Sequence, residues 1–253
     1  MGGEAEQSDF KQLILLMYLD IILTKQQLKS AVYQFTEIPP MPFTTSAPSP
    51  ITIFGIGRNY ADHARELGNA VPTEEPVVFL KAASSLRGIN DGKTAYASEE
   101  LHHEAELVIR VGKLIPCGTT NPGWDFIDAV TLGLDLTRRE KQTELKSKGL
   151  PWTLAKSFLG ASVLAPFVPR ADLNGKTEFE FHFYVNETLK QRGDTRHMIF
   201  DVPFILDFLA RSHSLLPGDL IYTGTPAGVG PMKHGDRFTL ELLTVNKRWS
   251  GVL

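Results

Sequence analysis

Cysteine is almost absent from this chain. Among 253 residues only Cys117 carries a thiol, so no disulfide can close within the chain, which fits a reducing compartment. Cys117 lies between Pro116 and Gly118 with no histidine or asparagine motif beside it, and it reads as an incidental thiol rather than a nucleophile. An excess of one charge is also missing. Lysine and arginine number 26 against 29 acidic residues, for a net charge of −3, and no basic stripe stands out. Nucleic acid is therefore not an expected partner. Long apolar runs are lacking too. Leu13 to Leu23 is interrupted by Asp20 and is too short to span a bilayer, so no membrane partner is expected. Acidic residues precede that run where a secretory signal would be basic, and an organellar presequence would be rich in arginine and poor in acids.

What remains is ample material for one sizeable core, with 42% hydrophobic residues. The run from Phe10 to Phe35 reads as helical or mixed structure. Pro39 to Pro50 is a connector rich in proline, serine and threonine. Residues 1–50 are thus expected to be an N-terminal extension, with a catalytic domain over 51–253. Short β-branched or alternating runs predict strands at Ile51–Ile56, Val77–Lys81, Leu101–Val111, Ala129–Leu136, Phe179–Val185, Leu220–Thr223 and Arg237–Leu243. Helical or turn segments are expected at Asn59–Leu67, closed by Gly68, at Lys141–Lys148 and at Met198–Leu209. Gly193-Asp194 and Pro217-Gly218-Asp219 read as plain turns. Many short strands with few helices predict a strand-rich α+β fold.

The segment L-H-H-E-A-E-L-V-I-R-V-G, from Leu101 to Gly112, is the most informative. On a strand, Glu104 and Glu106 project to one face while Ala105, Leu107, Ile109 and Val111 take the other. Alone, such a pair reads as a solvated edge. Asp135, in the apolar run G-L-D-L-T, supplies a third acid. Three carboxylates with no nearby cysteine describe a site for a hard cation, Mg²⁺ or Mn²⁺. In G-I-G-R-N-Y-A-D-H-A-R-E-L-G, Gly55 and Gly57 suit a dinucleotide turn, but Tyr60 stands where its third glycine belongs. His63 and Glu66 are three apart on the expected helix and share a face, which suits an oriented general base. Lys81 ends an apolar strand and Lys156 sits among apolar neighbours. Both read either as solvated ends or as partners of an anionic substrate. The turn Y-T-G-T-P-A-G-V-G, Tyr222 to Gly230, lacks a P-loop lysine, yet its backbone N–H groups can approach an anion closely.

Taken in order, these segments, together with G-L-D-L-T-R-R-E-K-Q and K-G-L-P-W-T-L-A-K-S-F, resemble the fumarylacetoacetate hydrolase family, above all its small acylpyruvase and oxaloacetate decarboxylase branch. The resemblance covers roughly Ile51 to Leu243. It implies a mixed β-roll or sandwich with few short helices, and Mg²⁺ or Mn²⁺ held by Glu104, Glu106 and Asp135. It also implies a lid helix carrying His63 and Glu66, a site lysine at Lys156, and substrate contacts from Arg58, Lys81, Gln142 and Thr225. The implied substrate is a small anionic keto acid, and the implied assembly a homodimer. The expected location is the cytoplasm, or mitochondria in a eukaryote. The expected reaction is metal-dependent hydrolysis of the C–C bond of 3-acylpyruvates to pyruvate and a carboxylic acid. The alternatives are oxaloacetate decarboxylation, oxaloacetate tautomerisation, isomerisation of a 2-hydroxyhepta-2,4-diene-1,7-dioate type of diacid, and a catalytically dead oligomeric interaction protein. Where the family usually continues F-L-K with proline, Ala82 stands here.

Overall fold

Short runs of β-branched residues cannot form long helices, and here they build sheets instead. The computed structural model describes residues 52–66, 72, 74–91, 94 and 99–253. The expected structure between Phe10 and Phe35, the connector at 39–50 and the helix stop at Gly68 lie outside the described residues. In chain order the elements are β1 (Ile53–Gly57), α1 (Ala61–Glu66), β2 (Val77–Lys81), β3 (Leu86–Gly88), β4 (Leu101–His103), β5 (Ala105–Val111) and β6 (Ile127–Asp135). There follow α2 (Arg139–Ser147), α3 (Thr153–Lys156), β7 (Ser162–Leu164), β8 (Val168–Pro169), β9 (Glu180–Val185) and β10 (Thr188–Asp194). The last are α4 (Val202–Ala210), β11 (Leu220–Tyr222), β12 (Gly230–Met232), β13 (Arg237–Leu242) and β14 (Lys247–Val252).

The main sheet runs β2-β1-β11-β5-β6-β7-β3, with β8 also on β6. β1 with β11 and β3 with β7 are parallel, and the other pairs are antiparallel. A second sheet, β10-β9-β13-β14, is wholly antiparallel. β12 and β4 form a two-stranded pair. This is the strand-rich α+β architecture with few short helices that the sequence predicts. β5 and β6 are buried along nearly their whole length, on both faces. In β9 the alternation of the sequence is realised: Phe181, Phe183 and Val185 are buried, while His182 and Tyr184 are half-buried. Among the described residues no helix is long and apolar enough to cross a membrane.

Three boundaries differ from expectation. The strand expected over Leu101–Val111 breaks at Glu104, where the chain leaves β4 and its partner β12 and enters the main sheet as β5. The helix expected from Met198 starts only at Val202. Asp201 caps it by accepting a hydrogen bond from Phe204 N, and Ile199 N is instead donated to Asn59 O. Gly193 and Asp194 end β10 rather than forming a turn.

Candidate active site

The break at Glu104 and the ends of β5 and β6 bring three acids together. Oxygens of Glu104, Glu106 and Asp135 lie within 4.8 Å of one another, and all three residues are buried. Bare carboxylates this close repel strongly. Three cations offset them. Lys156 Nζ donates to Glu104 Oε2 at 2.6 Å and to Asp135 Oδ2 at 2.7 Å. Lys81 Nζ donates to Asp135 Oδ1 at 2.5 Å and to the carbonyl of Lys156. Arg139 donates to Glu104 Oε1. Burial opposes ionisation of Glu104, but Lys156 and Arg139 outweigh it and hold this carboxyl far below the usual range. Burial lowers the Lys81 pKa, whereas Lys156 is raised, since Asp135 and Glu104 overcome its desolvation.

Glu106 is treated differently. Only 2% exposed, it accepts a hydrogen bond from Gly224 N at 2.7 Å and forms no ion pair among the described residues. Burial, then the charges of Asp135 and Glu104, push its pKa well above the ordinary value. A third buried carboxylate without an ammonium partner, in a set of hard oxygen donors, fits a divalent cation.

The loop before the lid helix is strained and clamped. Arg58 has φ +60°, a left-handed conformation that costs a non-glycine residue about 1–2 kcal/mol. The fully buried Asn59 holds the loop in place. Its Nδ2 donates to Thr223 O at 2.7 Å and to Phe200 O at 2.9 Å, and its Oδ1 accepts from Phe200 N at 2.8 Å. On α1 the buried His63 turns Nδ1 toward Glu66 Oε2 at 3.5 Å, ion-pair range but long for a hydrogen bond. Burial lowers the His63 pKa despite the opposing pull of Glu104 and Glu66. The shift favours the neutral imidazole. Glu66 also accepts from Gly228 N at 3.1 Å, which ties α1 to the glycine-rich turn.

The anion met by that turn is the protein's own. Gly224 N serves Glu106, while Thr225 Oγ1 donates to Ala105 O at 2.9 Å and accepts from Gln191 Nε2 at 2.7 Å. Gly224 has φ +100°, and a Cβ there would lie 2.6 Å from Asn59 Cβ, so only glycine fits without displacement.

A cavity of about 30 Å³ opens on this cluster. Of the residues singled out from the sequence, Arg58, His63, Glu104, Glu106, Asp135, Gln142, Lys156 and Thr225 line it. Glu66 and Lys81 do not: Glu66 stands behind His63, and Lys81 supports Asp135 instead of facing substrate space. A much larger cleft, of about 750 Å³ between Tyr60–Asp62 and β10, contains none of the three acids. Arg139, Lys146 and Trp152 line the small cavity without having been singled out. Arg139, Gln142 and Lys146 are spaced i, i+3, i+7 on α2, a spacing that marks one helix face. Gln191 and Asn59 left no comparable signal. Ala82 N donates to Ser157 Oγ at 2.5 Å, a bond that proline could not make.

Fold and site together define a strand-rich mixed-sheet protein whose cavity gathers three buried carboxylates, a buried histidine and several cations. The chain belongs to the fumarylacetoacetate hydrolase family: the family model described as fumarylacetoacetate (FAA) hydrolase C-terminal matches residues 52–248. It is 42% identical over 183 residues to a mitochondrial oxaloacetate tautomerase of Homo sapiens, covering 72% of this chain and 82% of that one. It is 40% identical over 185 residues to a mitochondrial oxaloacetate decarboxylase of Dictyostelium discoideum, covering 72% and 84%. Among solved structures it resembles fumarylpyruvate hydrolase from Pseudomonas aeruginosa in complex with Mn²⁺ and pyruvate. That match has a TM-score of 0.72 and 27% identity, and covers 83% of this chain and 97% of that chain.

Proposed function

We propose that this protein is a divalent-metal-dependent enzyme of oxaloacetate, catalysing its keto–enol tautomerisation. The observation that carries the reading is the buried His63, its Nδ1 toward Glu66, on the same cavity as the three carboxylates. The relatives at 40–42% identity, both named for oxaloacetate, favour this substrate over the acylpyruvates expected from the sequence.

A divalent cation held by Glu104, Glu106 and Asp135 would supply Lewis-acid polarisation of the 2-oxo group. His63, with Nδ1 toward Glu66, has Nε2 left to carry a proton between C3 and the 2-oxygen of the substrate, taking it from one and returning it to the other in either direction of the tautomerisation. The Lys156 ammonium, buried and already between two carboxylates, stabilises negative charge that develops on the substrate oxygen. Gly228 N on Glu66 keeps α1 over the cavity during proton transfer. Decarboxylation would pass through a related enolate. Acylpyruvate hydrolysis is the second reading, favoured by the likeness to fumarylpyruvate hydrolase, and it would use His63 to activate water. A dead binding protein would have no use for a buried base beside this cluster.

The test is the rate at which the enol absorbance of oxaloacetate decays, with Mg²⁺ or Mn²⁺ added, for the wild type and for His63→Ala. The variant should lose about 10²–10⁴-fold, the usual contribution of a positioned base. Undiminished tautomerisation in His63→Ala would refute the assignment. Acylpyruvate cleavage without oxaloacetate turnover would favour the second reading.

A further inference from the structure

The acids and cations of the inner site match in number, three against three. Glu104, Glu106 and Asp135 stand against Lys81, Lys156 and Arg139, each of which contacts at least one of the acids. Two further cations on the cavity wall, Arg58 and Lys146, are paired with none of these acids. Arg58 enters no ion pair formed among the described residues, and its Nε is buried without a hydrogen-bond partner. Among the described residues Lys146 forms no ion pair either, and its ammonium is held 5.1 Å from the centre of the Trp152 ring. It is half-buried on the α2 face that also presents Arg139 and Gln142 to the cavity. Burial, then the charges of Arg58 and Arg139, draw the Lys146 pKa down. Glu104 pulls the other way but does not outweigh them, so Lys146 sits on a wall where cations dominate. Filling the three-carboxylate site with a divalent ion adds further positive charge. A monoanionic 2-oxo acid would leave the outer pair uncompensated, whereas a second carboxylate on the substrate would meet it.

The geometry points to Lys146, acting with Arg58, as the site for the distal carboxylate of a dicarboxylic 2-oxo acid, and so as the determinant of diacid specificity. This rests on the 2-oxo acid reading above. Lysine suits the role as a mobile point charge, and the Trp152 face keeps it near the cavity.

Equilibrium binding tests it without requiring turnover. L-Malate and L-2-hydroxybutyrate share a skeleton and differ in that a methyl replaces the distal carboxylate. Both are titrated calorimetrically into the full chain with saturating Mn²⁺, as wild type, Lys146→Met and Lys146→Arg. The wild type should prefer malate by about 10–100-fold, the worth of a charge-assisted hydrogen bond. Lys146→Met should erase that preference while holding 2-hydroxybutyrate within about twofold, and Lys146→Arg should restore most of it. In parallel, the oxaloacetate KM should rise in Lys146→Met with kcat little changed. No malate preference in the wild type, or an undiminished one in Lys146→Met, would overturn the inference. A Lys146-dependent malate preference in a wild type that does not turn over oxaloacetate would support diacid recognition and refute the proposed reaction.

Discussion

Replacing Asn59 with alanine should be among the most damaging single changes outside the carboxylate cluster. The side chain is fully buried and makes three hydrogen bonds of 2.7–2.9 Å. Its removal strands the carbonyls of Thr223 and Phe200 and the N–H of Phe200. A buried hydrogen bond contributes about 1 kcal/mol net, and an orphaned buried group costs about 1–3 kcal/mol. Three such losses, partly relieved by relaxation, amount to roughly 3–5 kcal/mol, a large share of the roughly 5–15 kcal/mol that holds a typical domain. Guanidinium unfolding read by linear extrapolation should show this loss as a lower midpoint at unchanged slope. Asn59→Asp keeps the acceptor for Phe200 N but turns carboxylate oxygen toward two carbonyls, so at pH 7 it should be no milder. A loss below about 1 kcal/mol in Asn59→Ala would mean that the clamp described here does not hold the loop, and the positioning of Arg58 and His63 would need another cause.

Three further outcomes follow from the same geometry. Gly224→Ala combines a φ of +100° with a 2.6 Å clash against Asn59 and should cost about 2–4 kcal/mol, with weaker Mn²⁺ binding as Glu106 loses its N–H; a fully stable variant with normal Mn²⁺ affinity would contradict this. Because burial lowers the His63 pKa, the base stays deprotonated at pH 7, and kcat/KM should fall only on acidification through a midpoint below 6.5; a midpoint above 6.5 that disappears in His63→Ala would show that Glu104 and Glu66 dominate. Lys81→Met removes one buried partner of Asp135 and should cost about 3 kcal/mol in thermal or denaturant unfolding, the low end for a broken buried pair because Lys156 still faces Asp135; unchanged stability would show that Lys156 alone suffices.

The acid cluster was legible because alternation and burial act locally. Glu104, Glu106 and Asp135, in the apolar run, come together even though the strand breaks at Glu104. Lys156 and His63 were legible from motif order. Lys81 was placed correctly on its strand, but its role was not visible, because whether a strand-end lysine meets solvent, substrate or Asp135 depends on a partner 54 residues away. Arg139 and Lys146 share a helix face with Gln142, a signal present in the spacing but indistinguishable from a solvated face until α2 packs over the cavity. Asn59 and Gln191 act through contacts with backbone more than 80 residues distant, and no periodicity encodes those. The late start of α4 turns on the same clamp, since Ile199 and Phe200 are committed to Asn59 before Asp201 caps the helix.

The most direct test of the account is the tautomerisation of oxaloacetate by wild type and Glu106→Gln, each stripped of metal by a chelator and then titrated with Mn²⁺, with bound metal quantified in the same samples. The stripped wild type should show negligible acceleration and recover in proportion to bound Mn²⁺, and Glu106→Gln should show neither binding nor recovery. Full activity in the stripped wild type, or full activity and stoichiometric Mn²⁺ in Glu106→Gln, would contradict it.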